Sequence, residues 1–414
     1  MVSVPFSDLK SNKWLIFAIL SGIYFFVYFH RTSPAVIADD LMRDFAISAL
    51  TVGIFSSLYF YPYAVLQIPV GVLSDTKGAK RTVVIFTTIS LFGIFLFAIS
   101  PSYEIAIFSR LLIGIGVAGV YIPTVKAISV WFKQNEFATA MGILFAVGNL
   151  GAIFSSYPLA ISIESIGWRA SFVIIGIITA FLLLMSVLFV RDAPPNFRRE
   201  ELKRDDFKLL LCNISLWLLS ISSMLRYGVV MGFQGLWGGP FLIDVYGMTK
   251  PMAGAVLMLF GIGSIVGAPI LGKISDHFGR RKILLVFCGV GFLFLWLPLV
   301  LFPKKLNFLE MSLISFSLGF FSSGGPVAYA MVKELFPLRM TGLAVSFINV
   351  FPFIGAGIFQ TIMGYLMDSV GKIGEKYPVE AYQISFGFCL IASIVSLICT
   401  VLVRESKINY SGRN

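Results

Sequence analysis

Long apolar blocks separated by short polar segments run through the whole chain. About 20 apolar residues are needed to cross a bilayer. Twelve blocks are long enough, at residues 14–38, 48–74, 82–100, 105–131, 137–160, 168–190, 209–243, 251–275, 282–302, 307–332, 341–367 and 380–403. Lipid offers no hydrogen-bond partner to the backbone, so each block should be helical. The pattern predicts an all-α membrane protein with twelve transmembrane helices.

The composition and the charge distribution agree with this class. The chain is 57% hydrophobic and only 13% charged, with a mean hydropathy of +0.89, which excludes an ordinary soluble domain. When residues at the block edges are counted with the adjacent loops, this topology places 21 of the 32 Lys and Arg residues on the side of the two termini, 7 on the opposite side and 4 within helices. We therefore interpret the net charge of +11 as the positive-inside signal, not as a nucleic-acid surface. It predicts a multi-pass protein of the plasma or inner membrane with both termini in the cytoplasm.

A polar segment and an internal repeat divide the chain into halves. Residues 191–208, RDAPPNFRREELKRDDFK, form the longest polar stretch between apolar blocks. The loop GVLSDTKGAKR (71–81) is repeated as GKISDHFGRRK (272–282), with Asp75 and Asp276 201 residues apart. Parallel six-helix repeats are typical of transporters with a substrate site at the repeat interface. We predict an N-terminal six-helix bundle at 1–190, a cytoplasmic linker at 191–208 and a C-terminal six-helix bundle at 209–414.

The repeated loop resembles the signature loop of the major facilitator superfamily. That family has G-x-L-S-D-x-x-G-x-K/R-K/R between helices two and three, with an echo between helices eight and nine. RLLIGIG (110–116) in helix four resembles the R-x-x-x-G-x-G motif of the same family. The resemblance covers essentially the whole chain. It implies two pseudo-symmetric bundles that move a solute by alternating access.

A finer resemblance is to the anion:cation symporter branch, which carries organic acids such as sugar acids and sialic acid. The matching elements are Arg31 in helix one, YAVLQIPVGVLSD (63–75), KAISVWF (126–132) and GWR (167–169). The branch usually has Asp-Arg in helix one and often a Glu after G-x-G in helix four. This chain has His30-Arg31 and Val117 there. Symport by that acidic route is therefore not implied, and coupling to a proton stays open.

The segment YFHRTSPAV (28–36) places a charge inside the first apolar block. A charged side chain at the bilayer centre costs from about 2.5 to more than 10 kcal/mol, so its presence indicates function. Helical spacing puts Arg31 on one stripe with Tyr24 and Tyr28, and Tyr59 and Tyr63 form a similar stripe in helix two. We expect these five residues to line a substrate cavity; the alternative is packing between helices. His30 flanks the stripe and either carries a coupling proton or only packs, and the neighbouring Arg31 should oppose its protonation.

The second half offers a corresponding arginine. Arg226 lies 17 residues after Leu209, as Arg31 lies 17 residues after Trp14, so the two have similar depth. Arg226 should share a face with Gln234 and Trp237 in FQGLWGGP (233–240), whose glycines and proline suggest a hinge. Further candidate substrate-binding residues, any of which could instead satisfy a neighbouring helix, are Tyr121, Tyr329, Asn349 and Gln360. Tyr121 should share a face with Arg110, and Asn349 with Gln360.

Two arginines among very few intramembrane acids favour an anionic substrate. Arg binds carboxylate or phosphate through two hydrogen bonds and keeps its charge when desolvated. A dicarboxylate, a sugar acid or another organic anion would supply the missing charge. The alternative for each arginine is a structural role, held by backbone carbonyls and tyrosines.

The family resemblance also implies conformational roles outside the substrate site. The gating residues would hold the cytoplasmic helix ends together when the carrier opens outward, and they are Asp75, Lys77, Arg81, Asp276, Arg280 and Arg281. Arg110 would brace helix four against helix one.

The sequence therefore predicts a secondary active transporter for a small organic solute, preferably a carboxylate-bearing anion. The alternatives are a carrier of dipeptides or amphipathic compounds, a drug/proton antiporter, and a channel or receptor on the same fold. No nucleotide-binding loop, catalytic triad or metal-ligand spacing occurs in the sequence, so we expect neither an enzyme nor a cofactor. The expected partners are the substrate and the lipid bilayer, with a coupling proton left open and no nucleic acid, and the expected state is a monomer.

Overall fold

The computed structural model describes residues 6–192, 204–336 and 340–404, and these ranges are almost entirely helical. The helices in chain order are α1 Phe6–Thr32, α2 Pro34–Asp44, α3 Ala49–Ser57, α4 Phe60–Lys77, α5 Ala79–Ala98, α6 Tyr103–Ala118, α7 Tyr121–Trp131, α8 Gln134–Phe154, α9 Tyr157–Phe189, α10 Arg204–Leu211, α11 Ile214–Gly232, the π-helix π1 Phe233–Trp237, α12 Gly238–Tyr246, α13 Lys250–Phe278, α14 Arg281–Leu301, α15 Phe308–Ser322, α16 Gly325–Leu335, α17 Thr341–Val370 and α18 Val379–Leu402.

Eleven helical segments of the described chain are long and apolar enough to cross a membrane, and one of them contains two spans. Thr139–Phe189 has 51 residues, more than twice the length that a single span needs. Gly167 interrupts it with φ 80° and ψ 161°, a conformation outside the helical region that glycine adopts without a steric penalty. With this break the structure agrees with the predicted all-α membrane fold of twelve spans.

Several predicted helices are interrupted, so the expectation of one helix for each apolar block is wrong at these places. In the described chain the breaks lie at Ser33 in the first block, Leu58–Tyr59 in the second, Gly119–Val120 in the fourth, Ser155–Ser156 in the fifth and Ser323–Gly324 in the tenth. At three of them a proline is the first or second residue of the next helix: Pro34, Pro158 and Pro326. Proline cannot donate to a preceding carbonyl, so it starts a helix more readily than it continues one.

The seventh block also departs from a regular helix. It begins at Ile214, where Asn213 caps α11 by accepting a hydrogen bond from the Leu216 amide at 3.1 Å. The π-helix Phe233–Trp237 then inserts a wider turn before α12. It lies in the glycine-rich segment that the sequence marks as a hinge, and such turns are frequent at functional sites.

The chain forms two compact units, which we describe separately. Unit 1 comprises Met1–Ala46 and Leu58–Phe197, and unit 2 comprises Ile47–Ser57 and Arg198–Asn414. The predicted bundle boundaries stay predictions, and the middle of the predicted linker, residues 193–203, lies outside the described residues.

Unit 2 has a continuous apolar core and a capped helix end. Buried residues of α11, α14, α16 and α17, among them Leu216, Met331 and Ile348, pack together. At the start of α3, the carboxylate of Asp368 accepts hydrogen bonds from the Ala49 amide at 3.1 Å and the Leu50 amide at 2.8 Å. A carboxylate at a helix N-terminus satisfies free amides and complements the helix dipole, so Asp368 fixes α3 against α17.

Candidate substrate site

Arg31 lies near the end of α1 and is buried among tyrosine rings. Its side chain is 4% exposed, and its guanidinium carbon lies 4.5 Å from the centroid of the Tyr28 ring and 5.5 Å from that of Tyr63 on α4. Arg31 and Tyr63 also form a side-chain hydrogen bond. Cation–π contacts of this kind stabilise a desolvated guanidinium, which explains how unit 1 accommodates the charge.

Two further tyrosines extend this arrangement. The Tyr24 ring lies 5.4 Å from that of Tyr28 and stacks at 5.6 Å on Tyr121 at the start of α7. We call Tyr24, Tyr28, Arg31, Tyr63 and Tyr121 the Arg31 cluster. The predicted stripe on helix one is therefore present, and Tyr63 and Tyr121 join it from other helices.

Tyr59 links the Arg31 cluster to Arg110. Its hydroxyl donates to the Val27 carbonyl at 2.6 Å, and its ring stacks on that of Tyr63 at 6.3 Å. The guanidinium carbon of Arg110, 2% exposed, lies 4.9 Å from the Tyr59 ring centroid. Arg110 thus contacts a residue bonded to α1, as a brace would. The break between α6 and α7 lies between Arg110 and Tyr121, so the predicted shared face of these two residues stays a prediction.

His30 lies among phenyl rings. It is fully buried, with its ring centroid 5.6 Å from that of Phe29, 6.2 Å from Phe172 and 6.3 Å from Phe26. Neither of its ring nitrogens has a hydrogen-bond partner among the described residues.

In unit 2, Arg226 on α11 is partly buried against α14. Its Nη2 donates to the Leu285 carbonyl at 3.4 Å, and it interacts electrostatically with Cys288. The ion pairs found within the described chain include none with Arg226. Its guanidinium is thus held by a backbone oxygen and remains free of a carboxylate among these residues.

Three predicted binding residues connect helices of unit 2. Gln234 donates to the Leu257 carbonyl, Gln360 to the Met231 carbonyl and Trp237 to the Gln360 carbonyl, each at 3.0 Å. All three are fully or almost fully buried. Gln234 and Trp237, which lie in the π-helix, therefore donate to backbone carbonyls. Among the described residues neither side chain bonds to Arg226.

Tyr329 and Asn349 form a polar pair in unit 2. The Tyr329 hydroxyl donates to Asn349 Oδ1 at 2.8 Å, and both residues are partly exposed. Asn349 thus bonds to Tyr329, and Gln360, on the same helix α17, donates to the Met231 carbonyl.

The second copy of the repeated loop has a defined network. Arg281 Nη1 donates to Ser275 Oγ at 2.6 Å, and Arg281 Nε contacts Glu334 on α16 at 3.2 Å. Arg280 is the N-cap residue of α14. This network joins the ends of three helices of unit 2.

In the first copy, the side chain of Lys80 donates to the Val187 carbonyl at 2.6 Å, and its amide donates to Asp192 at 2.7 Å. Lys77 and Arg81 are exposed. The side chains of Asp75 and Asp276 lie outside the described residues, so their predicted gating role stays a prediction.

A charged cluster that was not predicted from the sequence lies at the end of α2. Asp44 accepts hydrogen bonds from Trp168 at 2.9 Å and Arg169 at 2.7 Å, and Arg169 also donates to the Ser100 carbonyl. Burial opposes ionisation of Asp44, but the bonds from Trp168 and Arg169 outweigh it and keep its pKa below the usual value. The GWR motif was the available signal, but a sequence does not reveal the distant carboxylate. No group of three His, Cys, Asp or Glu residues that could hold a metal occurs among the described residues.

Comparison with curated proteins shows relatives that span nearly the whole chain. The chain is 24% identical to the transporter YybO of Bacillus subtilis, covering 91% of this chain and 92% of the relative. It is 20% identical to the "Probable sulfoacetate transporter SauU" of Cupriavidus necator, covering 96% of each. It is 21% identical to the "Hexuronate transporter" of Bacillus subtilis, covering 92% of each.

Comparison with solved structures agrees with the fold. A bacterial homolog of the human lysosomal transporter Spinster, solved in an inward-facing, unoccupied conformation, matches with a TM-score of 0.76 at 18% identity. The match covers 95% of this chain and 98% of the homolog. The sequence profile of the Major Facilitator Superfamily matches residues 20–249 and 219–411, which together span most of the chain. The chain is therefore a multi-pass membrane protein that belongs to the major facilitator superfamily, a family of secondary transporters and not of enzymes.

Proposed function

We propose that this transporter carries a small organic anion and that Arg31 binds the anionic group. The observation that carries the proposal is the position of the Arg31 guanidinium over the rings of Tyr28 and Tyr63. Aromatic faces stabilise the cation without neutralising it. A guanidinium can form two parallel hydrogen bonds to a carboxylate or a sulfonate.

The relatives support the chemical class. The names of two of them specify sulfoacetate and hexuronate, and both compounds are anions with hydrogen-bonding oxygens. At identities of 20% and 21%, these relatives indicate the chemical class of the substrate and not the individual compound.

The same reasoning extends to unit 2. Arg226 has a backbone carbonyl as its described hydrogen-bond acceptor, which leaves other N–H groups for an anion. Tyr329 and Asn349 are partly exposed and offer further hydrogen bonds to hydroxyl groups, so we propose that they contact the substrate. For His30 we propose a packing role, because its neighbours are phenyl rings.

A thermal-shift experiment on purified protein in detergent tests this proposal. Sulfoacetate, glucuronate, a dipeptide and a cationic amphipath would be added separately, because a ligand that binds only the folded state raises the melting temperature. We expect the two anions to raise it in the wild type and in Arg43→Gln, whose arginine side chain is 68% exposed. Arg31→Gln should lose the effect. Stabilisation by the dipeptide or the amphipath alone, or an unchanged anion response in Arg31→Gln, would contradict the proposal.

A further inference from the structure

We propose that Gly289 and Gly324 are positioning residues that fix the guanidinium of Arg226 for binding to an anion. Gly289 lies within α14, and Gly324 is the N-cap residue of α16. A Cβ atom at Gly289 would lie 3.0 Å from Nη2 of Arg226 and 2.9 Å from Cδ1 of Leu397, and one at Gly324 would lie 3.4 Å from Nη1 of Arg226 and 3.4 Å from Cδ2 of Leu285. The two terminal nitrogens of one guanidinium therefore rest against two glycines from different helices. This inference depends on the proposed function, since it assigns Arg226 to anion binding.

One face of α14 is arranged around this guanidinium. Leu285, Cys288 and Gly289 follow each other at intervals of three and one, so they lie on the same side of the helix. The Leu285 carbonyl accepts the hydrogen bond from Nη2, and Cys288 has a small neutral side chain. Gly289 has no side chain, which leaves space for Nη2. A carbonyl has two lone pairs, so Leu285 can bond to Arg226 and keep its helical hydrogen bond.

The two glycines would affect the orientation of the Arg226 guanidinium more than its charge. A carboxylate or sulfonate accepts two parallel hydrogen bonds from a guanidinium only when its two oxygens lie in the guanidinium plane, opposite the two N–H donors. A long side chain held in one rotamer loses less entropy on binding than a mobile one. A methyl group on Gly289 would displace the guanidinium or the Leu397 side chain by a few tenths of an ångström, because the contacts of 3.0 Å and 2.9 Å are tighter than ordinary Cβ contacts. A methyl group on Gly324 would meet Nη1 at 3.4 Å, at the limit of ordinary contact, so its effect should be the smaller of the two.

A structural role for the glycines predicts a different result. Neither Gly289 nor Gly324 has a positive φ. Alanine can therefore adopt both conformations, and within a helix it is more favourable than glycine. If the glycines matter only for folding, the alanine variants should keep the transport properties of the wild type. If they position Arg226, the alanine variants should fold normally and bind the anion less well.

The experiment compares three glycine variants in proteoliposomes, with labelled sulfoacetate and glucuronate as substrates. In Gly289→Ala and Gly324→Ala we expect KM to rise about threefold to tenfold, the effect of a weakened hydrogen bond to a charged group, while kcat and melting temperature stay near wild type. Gly325→Ala is the matched control, because a Cβ at Gly325 has no neighbour within 4 Å. In an Arg226→Gln background the additional effect of Gly289→Ala should disappear.

Wild-type KM in both glycine variants, or an equal rise in Gly325→Ala, would overturn the positioning role. If Arg31→Gln still abolishes uptake and Arg226→Gln still raises KM in that case, the proposed function stands and only this inference fails. If Arg226→Gln transports both anions with wild-type KM, the assignment of Arg226 and the positioning role fail together. If the wild type transports neither anion, the proposed function itself is contradicted.

Discussion

The guanidinium of Arg31 lies 4.5 Å from the ring of Tyr28, three residues before it on the same helix. A spacing of three residues places both side chains on one face of α1, and α4 adds Tyr63 from another direction at 5.5 Å. Unit 1 thus surrounds a buried cation with aromatic faces. This relationship explains how the chain accommodates the charge of Arg31 in YFHRTSPAV, and it is the basis of the proposed function.

We expect Arg31→Gln to abolish uptake of the transported anion and Arg31→Lys to weaken it about tenfold. Lysine keeps the charge but cannot form the paired hydrogen bonds of a guanidinium. A hydrogen bond to a charged group contributes about 1.5–3 kcal/mol, and 1.4 kcal/mol corresponds to a factor of ten. Concentration-dependent uptake in proteoliposomes measures KM for each variant. Equal KM values for arginine and lysine would show that charge alone suffices.

The Tyr63 ring should matter more than its hydroxyl. Tyr63→Phe retains the aromatic face and should raise KM about twofold or less. Tyr63→Leu removes the cation–π contact, which contributes about 0.5–2 kcal/mol, and should raise KM by about threefold to thirtyfold. Both variants are compared by uptake at equal protein in the liposomes. Equal effects of the two substitutions would mean that the hydrogen bond to Arg31, and not the ring, is the important contact.

The fold and the position of Arg31 could be predicted because both depend on local properties of the sequence. Apolar length gives the number of spans, and a three-to-four residue spacing gives the stripe that contains Tyr24, Tyr28 and Arg31. Both signals operate within one helix.

The interruptions and the contacts between distant helices could not be predicted in the same way. The break at Gly119–Val120 separates Arg110 from Tyr121, and the π-helix turns Gln234 and Trp237 towards backbone carbonyls. A helical-wheel argument assumes a regular helix across each apolar block, so it cannot be applied across either interruption. The pairing of Asp44 with Arg169 spans 125 residues, and no local pattern encodes it.

The charged cluster at the end of α2 should contribute to stability above acidic pH. The pKa of folded Asp44 is lowered, so its contribution is present above the unfolded value of about 3.9 and is lost as the pH falls through the folded value. Because Asp44 is partly exposed, we expect Asp44→Asn to cost about 1 kcal/mol at pH 7. This loss should lower the melting temperature by about 2 °C. The difference from wild type should narrow as the pH drops below about 4.

Melting temperatures in detergent between pH 3 and pH 8 would check this dependence on pH. Glu164→Gln, at an exposed site in the same unit, is the control and should show no difference at any pH. A gap between wild type and Asp44→Asn that persists unchanged at the lowest pH would contradict the role of the carboxylate charge.

Arg281 offers a test of the gating role in the second loop. Arg281→Lys cannot contact Ser275 and Glu334 together, so we expect transport to slow about fivefold, equivalent to about 1 kcal/mol. The thermal shift produced by the anion should remain, because the loop is not proposed to touch the substrate. Lys273→Arg, at an exposed position in the same loop, should behave as wild type in both measurements. Loss of the anion-induced shift in Arg281→Lys, with normal turnover, would exclude a purely conformational role.

Counterflow in proteoliposomes tests the central claim most directly. Liposomes loaded with unlabelled sulfoacetate or glucuronate would receive the labelled compound outside, with the wild type, Arg31→Gln and Arg43→Gln measured in parallel. The account predicts transient accumulation of the labelled anion in the wild type and in Arg43→Gln, and none in Arg31→Gln. Accumulation in Arg31→Gln equal to that in the wild type, or counterflow with only non-anionic solutes, would contradict it.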